Sequence, residues 1–598
     1  PYRENEEKDK ADDRVYVVNE LGQGELVNED LSGEGEKYRE GKTQIEAAAE
    51  QIKKAFAREG GTVVKRPWLP PLKNMIISPY AAGNADIGRR RELPVVRIGR
   101  VDIPESQEQK ELEYCPAEDG NLLFTASPGF GKTVFLTTVL ASLAIACDVD
   151  MVNFYILDCG NNGCMPMKEL PHTAEYISLD DEERYRKFRK LIMEEIAARK
   201  SQFARYAASS PEAYQELSGT RLKWIIVAVD QLDVVKELGI EEEEFITRLT
   251  RDGMGLGIYT VAAAARQSAV RQATLNNFKN KIAGYNFDEN ETFLAVGRTE
   301  YKQSDIKGRV LAGGETVHEA QIYVMAECGD KAAYSKALKM LVQDIRKRYP
   351  GREAPHIPIL PKQLFPAMLK DYTDDRRGYL VGLDTEEVTA IGFDRTAGMF
   401  VIVGNTGTGK TNILRVLADQ AAAEGKAYLF DGKGMELYSY RQKPNILYVE
   451  GERELEIFLD ELTEEIKDRR IILQEGLKGS PGSSPKAIVG EMPFCTVLID
   501  DLEDFSEFIG NRQGKAVSLI KEGTALGIIC IITVHAAKSR GISEIDRMVK
   551  QAANGLVLGD QGVVPIFPVA SMRENPRFGD GLLFRNGVSR RIRLPKYI

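Results

Sequence analysis

The sequence predicts an α/β protein of two tandem domains, each with a mostly parallel sheet covered by helices, preceded by a connector. Three observations predict this. A strand–loop–helix unit occurs twice, in "NLLFTASPGFGKTVFLTTVLASLA" and "GMFVIVGNTGTGKTNILRVLADQA", with the lysines Lys132 and Lys410 a whole domain length apart. The segments that follow each unit match in kind and order. Buried strands alternate with helical stretches throughout, the pattern of parallel sheets covered on both faces.

The elements pair off in order. "FYILDCG" with Asp158 answers "AYLFDGKG" with Asp431, and "WIIVAVDQLD" with Asp230 answers "FCTVLIDDLED" with Asp500. "GLGIYTVAAAARQS" then answers "ALGIICIITVHAAKS". Each copy finishes on strand-like segments, "EAQIYVMAE" and "DGLLFRNG" with "RRIRLP". The lead-ins "RPWLPPL" and "IPILPKQL" suit extended connectors. The domains are therefore expected at 76–345 and 350–598. Residues 1–75 read as a connector from something upstream: "PYRENEEKDKADDR" is charged and solvated, and "KTQIEAAAEQIKKAFAREGG" is a helix that stops at Gly60 and Gly61.

Bulk composition narrows the function. The 598 residues are 43% hydrophobic and 28% charged, ordinary for a soluble globular protein with large cores. The net charge of −10 argues mildly against a chain that grips DNA along its whole surface, though not against a local basic channel. Cys495 and Cys530 fall in strand-like runs and act as small apolar residues. The close pair Cys159 and Cys164 has no second Cys or His pair at zinc-site spacing, so the pattern reads as a reducing, cytosolic protein rather than a metal centre. The apolar run "VFLTTVLASLAIACDVDMVNFYILD" is broken by Asp148 and Asp150 and reads as a helix then a buried strand, not a membrane span. The runs "EEEEF" and "DDEER" read as solvated helix faces.

The second loop, Gly404-Asn405-Thr406-Gly407-Thr408-Gly409-Lys410-Thr411, is a complete phosphate loop between a strand and a helix. Its glycines let backbone N–H groups curl towards phosphate oxygens, and the helix N-terminus adds partial positive charge. Lys410 would neutralise the β and γ phosphates of ATP, and Thr411 would offer its hydroxyl to Mg²⁺. The first loop is Ala126-Ser127-Pro128-Gly129-Phe130-Gly131-Lys132-Thr133. Its leading glycine has become Ala126, which is expected to resist backbone angles that glycine takes freely. Thr133 would be the matching Mg²⁺ ligand. Asp230 and Asp500 end buried strands and suit an outer-shell role at Mg²⁺.

The residue after each aspartate bears on hydrolysis. Asp501 is a carboxylate one methylene shorter than glutamate. Gln231 can orient a water but cannot take its proton. On the next strand the γ-phosphate sensing position holds His535 in the second copy and Ala265 in the first. Ala126, Gln231 and Ala265 are three departures in one domain, which reads as a site released from hydrolysis.

Together these motifs resemble the FtsK/SpoIIIE family of ring-forming P-loop motor ATPases, whose fold is RecA/FtsK-like. The resemblance is strongest to the EssC-like membrane ATPases of type VII (ESX/WXG100) secretion, which carry two or three such domains after a transmembrane region. It covers residues 60–598. The family's glutamate after the acidic strand and its sensor glutamine are missing from both copies here, and Met254 and Thr524 stand where an arginine is usual; Arg251 lies near but is not assigned as a trans-acting finger. The resemblance implies the nucleotide-binding part of a protein export motor at the cytoplasmic face of the membrane, in which an upstream ATPase domain does most of the hydrolysis. It implies WXG100-type substrates, other type VII membrane components and a homo-hexameric machine as partners, and ATP with Mg²⁺ as cofactors. A DNA-translocating motor of the same fold is the alternative, though "RIRLPKYI" leaves no room for a DNA-reading C-terminal domain, and no nucleic acid is expected. A nucleotide-independent docking scaffold is a third reading.

Overall fold

A computed structural model describes residues 15–27, 43–59, 69–83, 95–160, 162–313, 316–327, 329–373, 378–479, 484–536, 543–559, 566–567 and 578–597. The charged segment 1–14 and the pair Gly60–Gly61 lie outside the described residues, as does Cys328. Backbone contacts divide the chain into two units, residues 1–71 with 104–108, and residues 72–103 with 109–598.

The smaller unit contains an antiparallel pair, Tyr16–Val18 with Gly24–Leu26, and a helix over Gln44–Arg58. Thr43 and Glu46 form a reciprocal capping box at the helix start. None of the helix's residues is buried, and Ile45, Ile52 and Phe56 are exposed.

The larger unit holds two sheets, of 11 and 10 strands. In the first, β1 (Leu122–Thr125) leads through the phosphate loop into α1 (Lys132–Ala146). Then come β2 (Val152–Asp158), β3 (Thr173–Ser178), α2 (Glu182–Tyr206), β4 (Trp224–Asp230), β5 (Ile258–Ala264) and β6 (Asn280–Ala283). In space they run β6-β1-β5-β4-β2-β3, all parallel.

The second sheet repeats this. β7 (Met399–Gly404) leads into α3 (Lys410–Glu424), followed by β8 (Gly425–Phe430), β9 (Ile446–Val449), α4 (Glu452–Gly479) and β10 (Phe494–Ile499). α5 (Leu502–Ile509), β11 (Ile529–His535) and β12 (Asn554–Leu558) complete it. The spatial order is β12-β7-β11-β10-β8-β9, again parallel. Beyond β6 and β12 each sheet continues on antiparallel strands: Arg309–Ala312 and His318–Val324 in the first, Asp580–Arg585 and Val588–Arg593 in the second.

Burial explains the composition of these elements. Every residue of β4 and β5 is buried, so both read as unbroken apolar runs rather than alternating strands. α1 is apolar on almost all sides because it packs into the core, which accounts for the long apolar run in the sequence. Among the described residues no helix is long and apolar enough to cross a membrane. Cys495 and Cys530 are buried in β10 and β11.

The segment joining the two sheets is extended and tied to the first. Ala354 N donates to Pro171 O at 2.7 Å, and Lys187 Nζ of α2 donates to Pro358 O at 2.8 Å. Glu386, beside the start of the second sheet, pairs with Arg186 at 2.9 Å and Lys190 at 3.0 Å.

Candidate functional site

Parallel strands with crossover helices bring loops together at their carboxyl ends, where open α/β sheets bind ligands. β1 and β7 end in the two phosphate loops, and β4 and β10, two strands away, end in Asp230 and at the residue before Asp500.

In the second loop Gly407 and Gly409 have φ of 79° and 100°, and a Cβ at either would meet nothing within 4 Å. This is an open cradle lined by backbone, at the head of the 15-residue helix α3. Lys410 Nζ folds back and donates to Asn405 O at 3.0 Å, and Thr408 Oγ1 donates to the same oxygen at 2.8 Å. The first loop repeats the glycine cradle, but its lysine reaches back one residue further. Gly129 and Gly131 have φ of 93° and 99°, and Lys132 Nζ donates to Ala126 O at 2.9 Å. Burial lowers both lysine pKa values from their ordinary range.

The expectation that Ala126 strains the loop is corrected by the structure. Neither Ala126 nor Gly404 has a positive φ. What Gly404 provides is space, since a Cβ there would come within 3.0 Å of Leu558 O and crowd the Thr408 hydroxyl. In the first copy the residue opposite Ala126 is Gly284 rather than a leucine, and it leaves room for the methyl. Phe130, in the place of Thr408, turns onto Tyr285 with ring centroids 4.6 Å apart, and Ser127 Oγ accepts from Phe287 N at 2.9 Å. Pro128 lies between these anchors on the exposed turn.

The acidic residues differ in their partners. Thr133 Oγ1 donates to Asp230 Oδ2 at 3.0 Å, so the two expected Mg²⁺ ligands of the first site touch. Asp500 instead accepts from Thr533 Oγ1 at 2.8 Å, and Thr411 makes no such bond to it. Burial, reinforced by the Asp158 charge, pushes Asp230 up to about 6. Burial also pushes Asp500 up to about 6, against the lowering effect of the Thr533 hydroxyl.

The residue after each aspartate is backbone-strained in the same way. Gln231 and Asp501 both have φ of 60°, a left-handed angle uncommon outside glycine. Gln231 lays its amide against Gly160, where a Cβ would collide with it. Asp501 caps α5, its Oδ1 accepting from Glu503 N at 3.0 Å and Asp504 N at 3.4 Å. His535 Nε2 lies 3.1 Å from Thr406 Oγ1, which puts the sensor-position ring on the phosphate loop. Ala265 has only a backbone role there, its N–H donating to Asp233 at 2.8 Å. Met254 and Arg251 lie at the opposite end of β5 from Ala265, and Arg251 pairs with Asp252 at 2.7 Å.

Several residues of these sites escaped the sequence. Tyr176 OH donates to Asp158 at 2.8 Å, and Tyr448 OH donates to Asp431 at 2.8 Å. This repeated tyrosine–aspartate pair braces the strand next to each acidic strand. Thr533 was also missed: its hydroxyl donates to Asp500 and accepts from Asp501 N at 2.8 Å. The tyrosines could have been found by aligning the copies beyond the strands that carry aspartates; Thr533 could not, because Ala263 stands in its place in the first copy.

Comparison with known proteins agrees with this geometry. Residues 88–273 match the model of the FtsK/SpoIIIE family. The chain is 29% identical over 602 residues to the ESX secretion system protein EccC of Geobacillus thermodenitrificans, covering 99% of this chain and 40% of that protein. It is 29% identical over 596 residues to the ESX secretion system protein YukB of Bacillus subtilis, covering 98% of this chain and 39% of that protein. The chain thus spans well under half the length of these curated relatives. Among solved structures, ATPases 2 and 3 of EssC from Geobacillus thermodenitrificans superpose with a TM-score of 0.77 at 29% identity, over 88% of this chain and 100% of that one.

Proposed function

We propose, for a chain that carries an FtsK/SpoIIIE-family domain and is similar along its length to the tandem ATPases 2 and 3 of EssC, that it is the ATP-binding portion of a type VII protein secretion motor. In this reading Mg-ATP is held at the second loop by the N–H groups of residues 405–411, by Lys410 and by Thr411, with Asp500 behind the ion. Asn405, Thr406, Gly407, Thr408 and Gly409 shape the cradle, and His535 contacts it through Thr406. Bound ATP would supply the binding energy that sets the conformation of the domain. The first site, with Lys132, Thr133 and Asp230, binds nucleotide without turning it over. The machine works at the cytoplasmic face of the membrane on WXG100-type substrates, as a homo-oligomer with the other secretion components.

One observation carries the low hydrolysis assigned to both sites: neither residue after the acidic strand is aimed as a base. Gln231 has no basic atom and lies on Gly160, and Asp501 caps a helix. The test is calorimetry. Two Mg-ATP sites are expected in the wild type and one fewer in Lys410→Ala, with turnover slow or absent in both. A wild-type chain that ignores ATP overturns the reading.

A further inference from the structure

We propose that the first domain holds a divalent ion of the Zn²⁺ class on Asp158, Cys164 and Asp230, independently of nucleotide. The sequence argued against metal at Cys164 because no thiol or imidazole pair stands at the usual spacing. The fold supplies what spacing along the chain does not. β2 and β4 are neighbours and put Asp158 directly opposite Asp230. The chain after β2 then returns so that Cys164 faces both. One ligand atom from each of the three lies within 4.8 Å of the others. A tetrahedral shell with Zn–O of about 2.0–2.2 Å and Zn–S of about 2.3 Å has edges of roughly 3.4–3.6 Å. The cluster therefore needs to contract by only about an ångström to close on the ion.

A second observation points to the ion. Asp230 is 3% exposed, and its Oδ1 has no hydrogen-bond partner while Oδ2 accepts from Thr133. A buried carboxylate oxygen without a donor is costly unless a cation meets it. Asp158 is bonded in a way that fixes a ligand without using all its capacity. Its oxygens accept from Gly160 N, Cys164 N and Tyr176 OH, and each oxygen has two acceptor sites. Two carboxylates and a thiolate suit a borderline ion better than Mg²⁺, which takes oxygen donors.

The second domain is the internal control. Leu437 occupies the place of Cys164, and its N–H donates to Asp431 at 2.9 Å as that of Cys164 does to Asp158 at 3.1 Å. The fold thus has no need of a thiol at this point, and only the first copy has one. An ion on these three residues ties the chain after β2 to the acidic strand, where a motor site would rely on Mg-ATP.

The experiment is titration of the purified chain with Co²⁺, without nucleotide and after chelator treatment. A near-ultraviolet thiolate-to-cobalt band saturating at one ion per chain is expected, displaced by Zn²⁺ and not by millimolar Mg²⁺. Cys164→Leu should abolish the band, Cys159→Ser should keep it, and Asp158→Asn should weaken Co²⁺ binding at least tenfold. Near-ultraviolet circular dichroism checks that each variant is folded, and Asp158→Asn decides the matter if Cys164→Leu is not. Absence of the band, its survival in Cys164→Leu, undiminished Co²⁺ affinity in Asp158→Asn, or equal competition by Mg²⁺ overturns the proposal. Because no nucleotide is present, the result is separate from that of the Lys410→Ala calorimetry.

Discussion

Ala126 and Gly284 share a single side chain's worth of space: a Cβ on Gly284 would lie 2.9 Å from the Cβ of Ala126. The second copy solves the same contact the other way round, with Gly404 paired to Leu558. The lost glycine of the first loop is therefore a compensated exchange in packing, and the loop keeps its shape. Gly284→Ala is expected to destabilise the first domain by about 1–3 kcal/mol through overpacking. Adding Ala126→Gly should recover at least ~1 kcal/mol of that, as residues in contact couple. Trp224, buried in the same sheet, reports unfolding in denaturant by fluorescence. Additive effects would show that the two residues do not share the space.

Asp501 separates capping from catalysis. Asn at this position still accepts from Glu503 N and Asp504 N, whereas Ala does not. Asp501→Asn is expected to leave stability and residual ATP turnover within twofold of wild type. Asp501→Ala should lower stability by about 1 kcal/mol. Turnover assays with both variants check this, and a brisk wild-type rate abolished by Asp501→Asn would make Asp501 the base after all.

The folded state raises the Asp500 carboxyl from 3.8 to about 6, so ionising it disfavours folding. Between pH ~4 and ~6 the folded chain binds the extra proton, and this group's contribution falls as pH rises through that window. Above it the penalty is complete; below it the penalty vanishes. Asp500→Asn removes the charge while keeping an acceptor for Thr533. It should stabilise the protein by about 1–2 kcal/mol at pH 7 and by nothing near pH 4. Denaturant titrations monitored by circular dichroism across pH 4–8 measure the difference. A pH-independent effect would rule out the buried charge as its cause.

The duplicated architecture was legible because buried parallel strands read as apolar runs, and the Gly-Lys-Thr loops punctuate them twice. Lys132, Thr133, Lys410, Thr411, Asp230 and Asp500 could be placed because strand ends and loop ends converge by topology. The partners that decide how these residues behave were not legible. Gly284 is 158 residues from Ala126, and nothing local marks it. Asp501 looks like a shortened catalytic acid in sequence, and only its left-handed backbone turns it into a cap. Cys164 meets Asp230 through the pairing of β2 with β4, a relation set by sheet order and not by spacing.

A pair of buried arginines, also invisible in sequence, holds both domains in the same way. Arg199 of α2 pairs with Glu195 and donates to Leu256 O at 2.8 Å and Lys223 O at 2.7 Å. Arg469 of α4 pairs with Glu465 and donates to Leu526 O at 3.1 Å and to Pro493 O. Each guanidinium thus fastens a helix to the chain entering the acidic strand and the chain entering the sensor strand. Removing it leaves two carbonyls short of a donor and a glutamate short of its partner. Arg199→Met and Arg469→Met are each expected to lower stability by about 3–5 kcal/mol. Lys offers one ammonium point in place of a planar fork, so Arg469→Lys should recover less than half of the loss. The two single losses should add in the double variant, because the clamps sit in separate cores. Denaturant unfolding followed by Trp224 fluorescence for the first domain, and by circular dichroism for the whole chain, reads both. Losses below ~1 kcal/mol would mean that water replaces the clamp and that helix packing alone sets the strand register.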